Sequence, residues 1–225
     1  MENPWTKLKK DKDGMYILDI DRDKIHELQT RLSGKCALHL DLFPEPFTGN
    51  PNAPIYILNL NPGVGGINDK NDMDRIKKYV FKNYKNQSME YPFYPLDHNL
   101  DGTGGHKWWK KLLRFIIKET GDDKLVSQKI FCIEYFPYHS MSFSQKMKDI
   151  PSQHYNMELI KKAIKNNCLF IIRRHKRELF NLIPELENHK AKGLIFWCKS
   201  HAAHISPGDI INDGFAKIIK IIKKC

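Results

Sequence analysis

Four short runs of this chain are apolar at almost every position: APIYILNL (53–60), KIFCIEYF (129–136), CLFIIRR (168–174) and GLIFWCK (193–199). A strand with one wet face alternates apolar and polar residues. These runs do not, so each must be covered on both faces. Helical spacing fills the intervals, at 72–84, 106–120, 155–167, 175–183 and 213–224. Within 106–120 the spacing puts Trp108, Leu112, Phe115 and Ile116 on one face and lysines on the other. The alternation predicts an α/β fold: a three-layer sandwich with a central four-stranded parallel sheet flanked by helices. Residues 1–50 read as an N-terminal extension packed on that unit, with a helix over 23–32. The Pro/Gly-bounded stretch FPEPFTGNPNAP follows. With no repeat or low-complexity linker, 1–225 reads as a single domain.

No apolar run approaches the roughly 18–20 residues that span a bilayer. The N-terminus MENPWTKLKKDKDG lacks the apolar core of a signal peptide. Five cysteines, dispersed and without a CxxC pair, suit a reducing compartment. A cytoplasmic protein is expected, with no membrane association and no obligatory protein partner, acting as a monomer. The formal net charge of +11 and pI near 9.3 favour a polyanion such as DNA, or reflect only solubility in a lysine-rich chain. Cys198, His201 and His204 are spaced by three, but no fourth zinc ligand is evident. Neither a metal nor a cofactor is expected.

In open parallel sheets, ligands bind beyond the carboxyl ends of the strands. The segments to search are therefore NPGVGG, PYHSMSFS, RHKRE and SHAAHISPGD. Asn61-Pro62-Gly63 opens the first. Its glycines let backbone amides approach a ligand, and the Asn61 amide can hold a water; the alternative is a plain turn. It is neither a Walker loop nor a dinucleotide fingerprint. The last segment carries His204-Ile205-Ser206-Pro207-Gly208, with an imidazole able to stabilise a leaving anion or simply to pack.

Asn-Pro-Gly after the first strand and His-x-Ser-Pro after the last resemble motifs of the uracil-DNA glycosylase superfamily. The mismatch-specific and single-strand-selective monofunctional branches are nearest, and the resemblance spans about 53–215. It implies a metal-free hydrolysis of the N-glycosidic bond of a base flipped out of DNA. By position, Asn61 would orient water or stabilise the sugar cation, and His204 would stabilise the departing base. Ser206 would contact a flanking phosphate. Three departures stand out. Asn59 replaces a frequent glycine, Ile205 replaces a proline, and Gly208 stands where an apolar wedge is expected, leaving Ile210 or Ile211 for that task.

Where relatives read uracil with asparagine, this chain has Glu134. A carboxylate accepts well from the cytosine N4 amino group; a protonated one would donate instead. Glu134 either reads the base, points away, or pairs with an arginine such as Arg173. Pro62, Gly63, Phe93 and Tyr94 complete the expected base pocket, with a ring of Phe93 or Tyr94 stacking on the base or packing in the core. Lys199, Arg173 and Arg174 join Ser206, Pro207, Gly208 and Ile210 as expected DNA contacts, though basic runs are commonly just solvated faces. No lysine stands out for a Schiff base, so a monofunctional enzyme is expected.

The leading expectation is a glycosylase removing a modified cytosine to leave an abasic site, a chemistry suited to defence against viral DNA. Free removal of normal cytosine would be toxic, so a modification or mismatch must be read. The alternatives are a housekeeping uracil or mismatch glycosylase, a non-catalytic DNA-binding module that senses altered bases, and a nucleoside hydrolase.

Overall fold

The structure, a computed structural model, describes residues 2–64, 70–199 and 204–224. Gly65, Gly66 and His201 lie outside the described residues. All four expected strands form, somewhat shorter than the apolar runs: β2 (Ile55–Asn59), β3 (Ile130–Glu134), β4 (Leu169–Ile172) and β5 (Ile195–Trp197). They run parallel in the order β3-β2-β4-β5.

The sheet, however, has five strands and is mixed. A short β1 (Phe47–Gly49) pairs antiparallel with the edge of β3, Phe47 opposite Ile133 and Gly49 opposite Phe131. It lies inside the proline-bounded stretch read as part of an extension. Pro44 and Pro46 hide it from a pattern search, and an edge position tolerates them. The first 50 residues therefore contribute to the sheet itself. Gly49 sits at φ 111°, and a Cβ there would stand 2.6 Å from the Ile130 carbonyl oxygen. Gly49→Ala is expected to cost about 2 kcal/mol or more, lowering Tm by several degrees in calorimetry. An unchanged Tm would contradict this strand pairing.

Each parallel strand buries both faces, and the alternation sorts its side chains into two layers. Tyr56, Leu58, Phe131, Ile133, Phe170 and Ile172 face one core. It is closed by α1 (Arg22–Arg31), α2 (Lys70–Tyr84), α5 (Gln153–Lys165), α6 (Lys176–Leu182) and α7 (Glu185–Ala191). Ile55, Ile57, Ile130, Cys132, Leu169 and Ile171 face the other. There α3 (Gly104–Thr120), α4 (Asp123–Lys129) and α8 (Gly214–Lys223) pack together.

The α3 helix starts at Thr103, whose hydroxyl accepts from the His106 amide at 3.3 Å, and ends at left-handed Gly121. Its buried face carries His106, Trp109, Leu112, Leu113 and Ile116. Trp108 was expected on that face and is exposed instead. Leu112 and Ile116 are buried as expected, while Trp109 and Leu113 take the other inward places, and Trp109 meets Phe93 edge-on. No helix among the described residues is long and apolar enough to cross a membrane.

Candidate active site at the carboxyl edge of the sheet

Beyond β2 the chain is zipped to the loop that follows β3. Backbone amides of Tyr135, Phe136 and Ser140 donate to the carbonyls of Asn59, Leu60 and Pro62. The Asn61 side chain locks this seam. Its Nδ2 donates to the Ser140 carbonyl (3.1 Å), the Ser140 hydroxyl (2.9 Å) and the Pro62 carbonyl (3.1 Å). Two carbonyl acceptors fix the amide orientation, so Oδ1 faces away from them, and it has no partner among the described residues. His139 clamps the same loop from below, its ring nitrogens each 2.9 Å from a carbonyl oxygen, of Gly63 and Phe43. Pro62 is buried and Gly63 exposed, so only Gly63 offers its backbone to a ligand.

Glu134 ends β3 in register with Asn59 at the end of β2. Both continue the face that carries Cys132 and Ile57, toward α3. Asn59 Nδ2 donates to Glu134 Oε1 at 2.8 Å, and the Cys132 thiol lies 3.7 Å from the same oxygen. The other carboxyl oxygen, Oε2, is buried without a partner. Burial raises the Glu134 pKa to about 8, opposed by the Asn59 hydrogen bond and reinforced by Glu45. The carboxyl group is thus largely protonated at neutral pH, with an acid hydrogen available at an unmet position. Among the described residues Glu134 has no salt bridge to Arg173; the amide of Asn59 holds it instead.

Arg173 follows β4 on the same face and is only 7% exposed. Its guanidinium lies over the Trp108 ring, 4.7 Å from the centroid. Burial lowers its pKa, while Cys198, Cys132 and Glu134 act in the opposite direction. Next to it, Arg174 is exposed, and His175 in the left-handed region (φ 56°) turns the chain into α6.

Glu45, which the sequence reading left aside, stands just before β1. It lines a small cavity of about 50 Å³ with Tyr94, Thr103, His106 and Trp109. Burial raises its pKa and His139 lowers it. Tyr94 is therefore at a candidate pocket, stacked on Tyr79 at 5.9 Å. Phe93 is not. It is fully buried, edge-on to Trp109, and abuts Gly49 near the amino end of β3. A side chain at that end of the strand cannot stack on a base bound at the other, so the base-stacking role falls away from Phe93.

The second motif also departs from expectation. The His204 ring packs on Phe115 at 5.3 Å and has no hydrogen-bond partner among the described residues. Phe115 lies about 10 Å further along the helix axis than Trp108, at ~1.5 Å per residue. The imidazole is thus seated on α3 about two turns from Trp108, the residue that covers Arg173. Ile210 is 1% exposed, bridged to Cys198 and packed against Gly214, which removes it as a wedge. Ile211 is half-buried. Ser206 is largely buried, whereas Pro207, Gly208 and Lys199 are exposed, and Lys199 reaches the Gly208 carbonyl at 3.4 Å. Among the described residues no group of His, Cys, Asp or Glu is arranged to hold a metal ion.

Cooperation between positions escaped the sequence reading. Asn59 was noted only as a departure from a family pattern, and Glu134 as another. The strand register makes them one hydrogen-bonded unit. No protein-family model matches the chain, no curated protein matches its sequence, and no solved structure matches it.

Proposed function

We propose that this protein is a monofunctional DNA glycosylase that hydrolyses the N-glycosidic bond of a flipped-out pyrimidine, leaving an abasic site, and that its substrate is a modified cytosine. The observation that carries the reading is the Asn59–Glu134 pair at the strand ends, with one carboxyl oxygen anchored at 2.8 Å and the other buried and unmet. A buried polar atom without a partner is costly. With the carboxyl group ionised, Oε2 would accept from the N4 amino group of a cytosine, so binding this base releases the Glu134 proton to solvent. Asn61, with its amide nitrogen fixed and its Oδ1 open, is suited to hold the attacking water. The basic surface around Arg174 and Lys199 supports DNA as the polymer presented.

One observation favours a second reading within the same chemistry. A Glu134 pKa near 8 makes the neutral acid a donor at pH 7, which suits the O4 of a uracil. The placement of His204 favours a third, a module that binds altered bases without cleaving them.

A panel of oligonucleotides decides among them. Duplex and single-stranded DNAs carrying uracil, cytosine, 5-methylcytosine or 5-hydroxymethylcytosine are incubated with the protein, and freed bases are identified by mass spectrometry. Release of a 5-substituted cytosine with at least about tenfold preference over uracil is expected, the discrimination of one good pair of base contacts. Preference for uracil establishes the second reading. DNA binding without any freed base establishes the third.

A further inference from the structure

We infer that Arg173 receives the O2 oxygen of the departing pyrimidine, the role that the second motif would otherwise give to His204. The inference rests on the glycosylase reading above.

Three adjacent strands bring the groups together. Asn59 is opposite Glu134 across β2 and β3, and Leu58 is opposite Ile172 across β2 and β4. One residue further on, Glu134, Asn59 and Arg173 therefore stand at one level, and the side-chain alternation points all three to the α3 side. Strand spacing puts the backbones of Glu134 and Arg173 about 10 Å apart. Asn59 stands between them with its amide turned to Glu134, so the two long side chains bracket the Asn59 position from either side.

Arg173 is unusual for a buried cation. It is more than nine-tenths buried, yet its guanidinium has no hydrogen bond or ion pair among the described residues. Five N–H donors in a fixed plane are held only by the face of Trp108, at 4.7 Å. Stacking orients the plane and leaves the donor edge open. Cys198, Cys132 and Glu134 act on its charge, but none of them hydrogen-bonds to it, so the donor edge can take an anionic oxygen.

A pyrimidine leaving group fits that vacancy chemically. Water oxygen bonds to C1′ as the C1′–N1 bond breaks, and the electron pair departs with the base. The negative charge is shared between N1 and O2, and the proton released by the water finally neutralises the base. With the 4-position at Glu134, O2 falls toward Arg173. The guanidinium then meets charge that develops only as the bond breaks, which is where a fixed donor accelerates a reaction most. His204, resting on Phe115, makes no such contact.

The test compares wild type, Arg173→Met and Arg173→Lys in single-turnover excision of uracil, 5-fluorouracil, cytosine and 5-fluorocytosine from otherwise identical oligonucleotides. Fluorine at C5 makes the base a better leaving group, so less stabilisation is needed. Arg173→Met is expected to lose about 100-fold on the parent base that wild type excises and about tenfold or less on its fluorinated partner. Arg173→Lys, which retains charge and serves should the Met variant not fold, is expected to show the same trend at smaller size. DNA affinity should stay within about threefold. An equal loss on both bases, or a loss explained by weaker DNA binding, would make Arg173 a structural or phosphate contact and overturn the inference. Full activity of either variant would overturn it too. If wild type frees none of these four and no base of the panel above, the glycosylase reading itself fails and takes this role with it.

Discussion

Asn61→Ala is expected to slow base excision by about 100- to 1,000-fold in single-turnover rate, with DNA affinity changed by less than about threefold. The magnitude follows from the location of the side chain. Its amide nitrogen is spent on the seam with Ser140 and Pro62, so its orientation is fixed before any substrate arrives. An oxygen held in that way can aim a water, or face a sugar cation, without reorganisation in the reaction step. A purely structural Asn61 predicts something different. The seam would then matter more than the oxygen, and Ser140→Ala, which removes one of the acceptors, would lose comparable activity. We expect Ser140→Ala to lose no more than about tenfold, since the Ser140 and Pro62 carbonyls still hold the amide. Equal losses in the two variants, tracked by equal falls in Tm, would reduce Asn61 to a loop clamp.

The four parallel strands were legible because burial on both faces leaves an unmistakable run of apolar residues, as in Ile55–Leu58 and Leu169–Ile172. Antiparallel β1 was not, because three residues between prolines carry no period. The short helix α7 likewise offers too few turns for a stripe to stand out. For the site, rank along the chain located Asn61 and Glu134 correctly at strand ends. Sequence could not say what they touch. Register alone joins Asn59 to Glu134, and β1 pairing alone brings Glu45 to the same edge. Phe93 and His204 show the opposite failure. Both residue types suit a base pocket, yet Phe93 is drawn into the gap over Gly49, and His204 settles on the half-buried Phe115. A motif fixes which residue follows a strand; the packing of α3 fixes where its side chain points.

Glu134→Gln separates the ionisation of this site from its shape. The folded protein holds the Glu134 proton up to about pH 8, well above the ordinary value of 4.5, because burial penalises the carboxylate. Between those two values the folded state binds more protons than the unfolded state, so stability must fall as pH rises through the interval. The favourable contribution is complete below about pH 4.5 and gone above about pH 8. A glutamine has no such proton to lose. Relative to wild type, Glu134→Gln should therefore gain stability between pH 5 and pH 9, by about 4 kcal/mol, read as a Tm difference that widens by roughly 10 °C. Activity should respond in the same window. Ionisation replaces a donor at Oε2 with an acceptor, so wild-type excision of a 4-amino pyrimidine rises with pH through 8 and that of a 4-oxo pyrimidine falls. In Glu134→Gln both dependences flatten, and the neutral pattern persists to pH 9. A Tm difference that stays constant from pH 5 to pH 9 would mean that the carboxyl group is already ionised in the fold, with Asn59 and Arg173 stabilising its charge enough to offset burial. The Asn59–Glu134 pair would then read an amino group at every physiological pH, and base choice would rest on geometry alone.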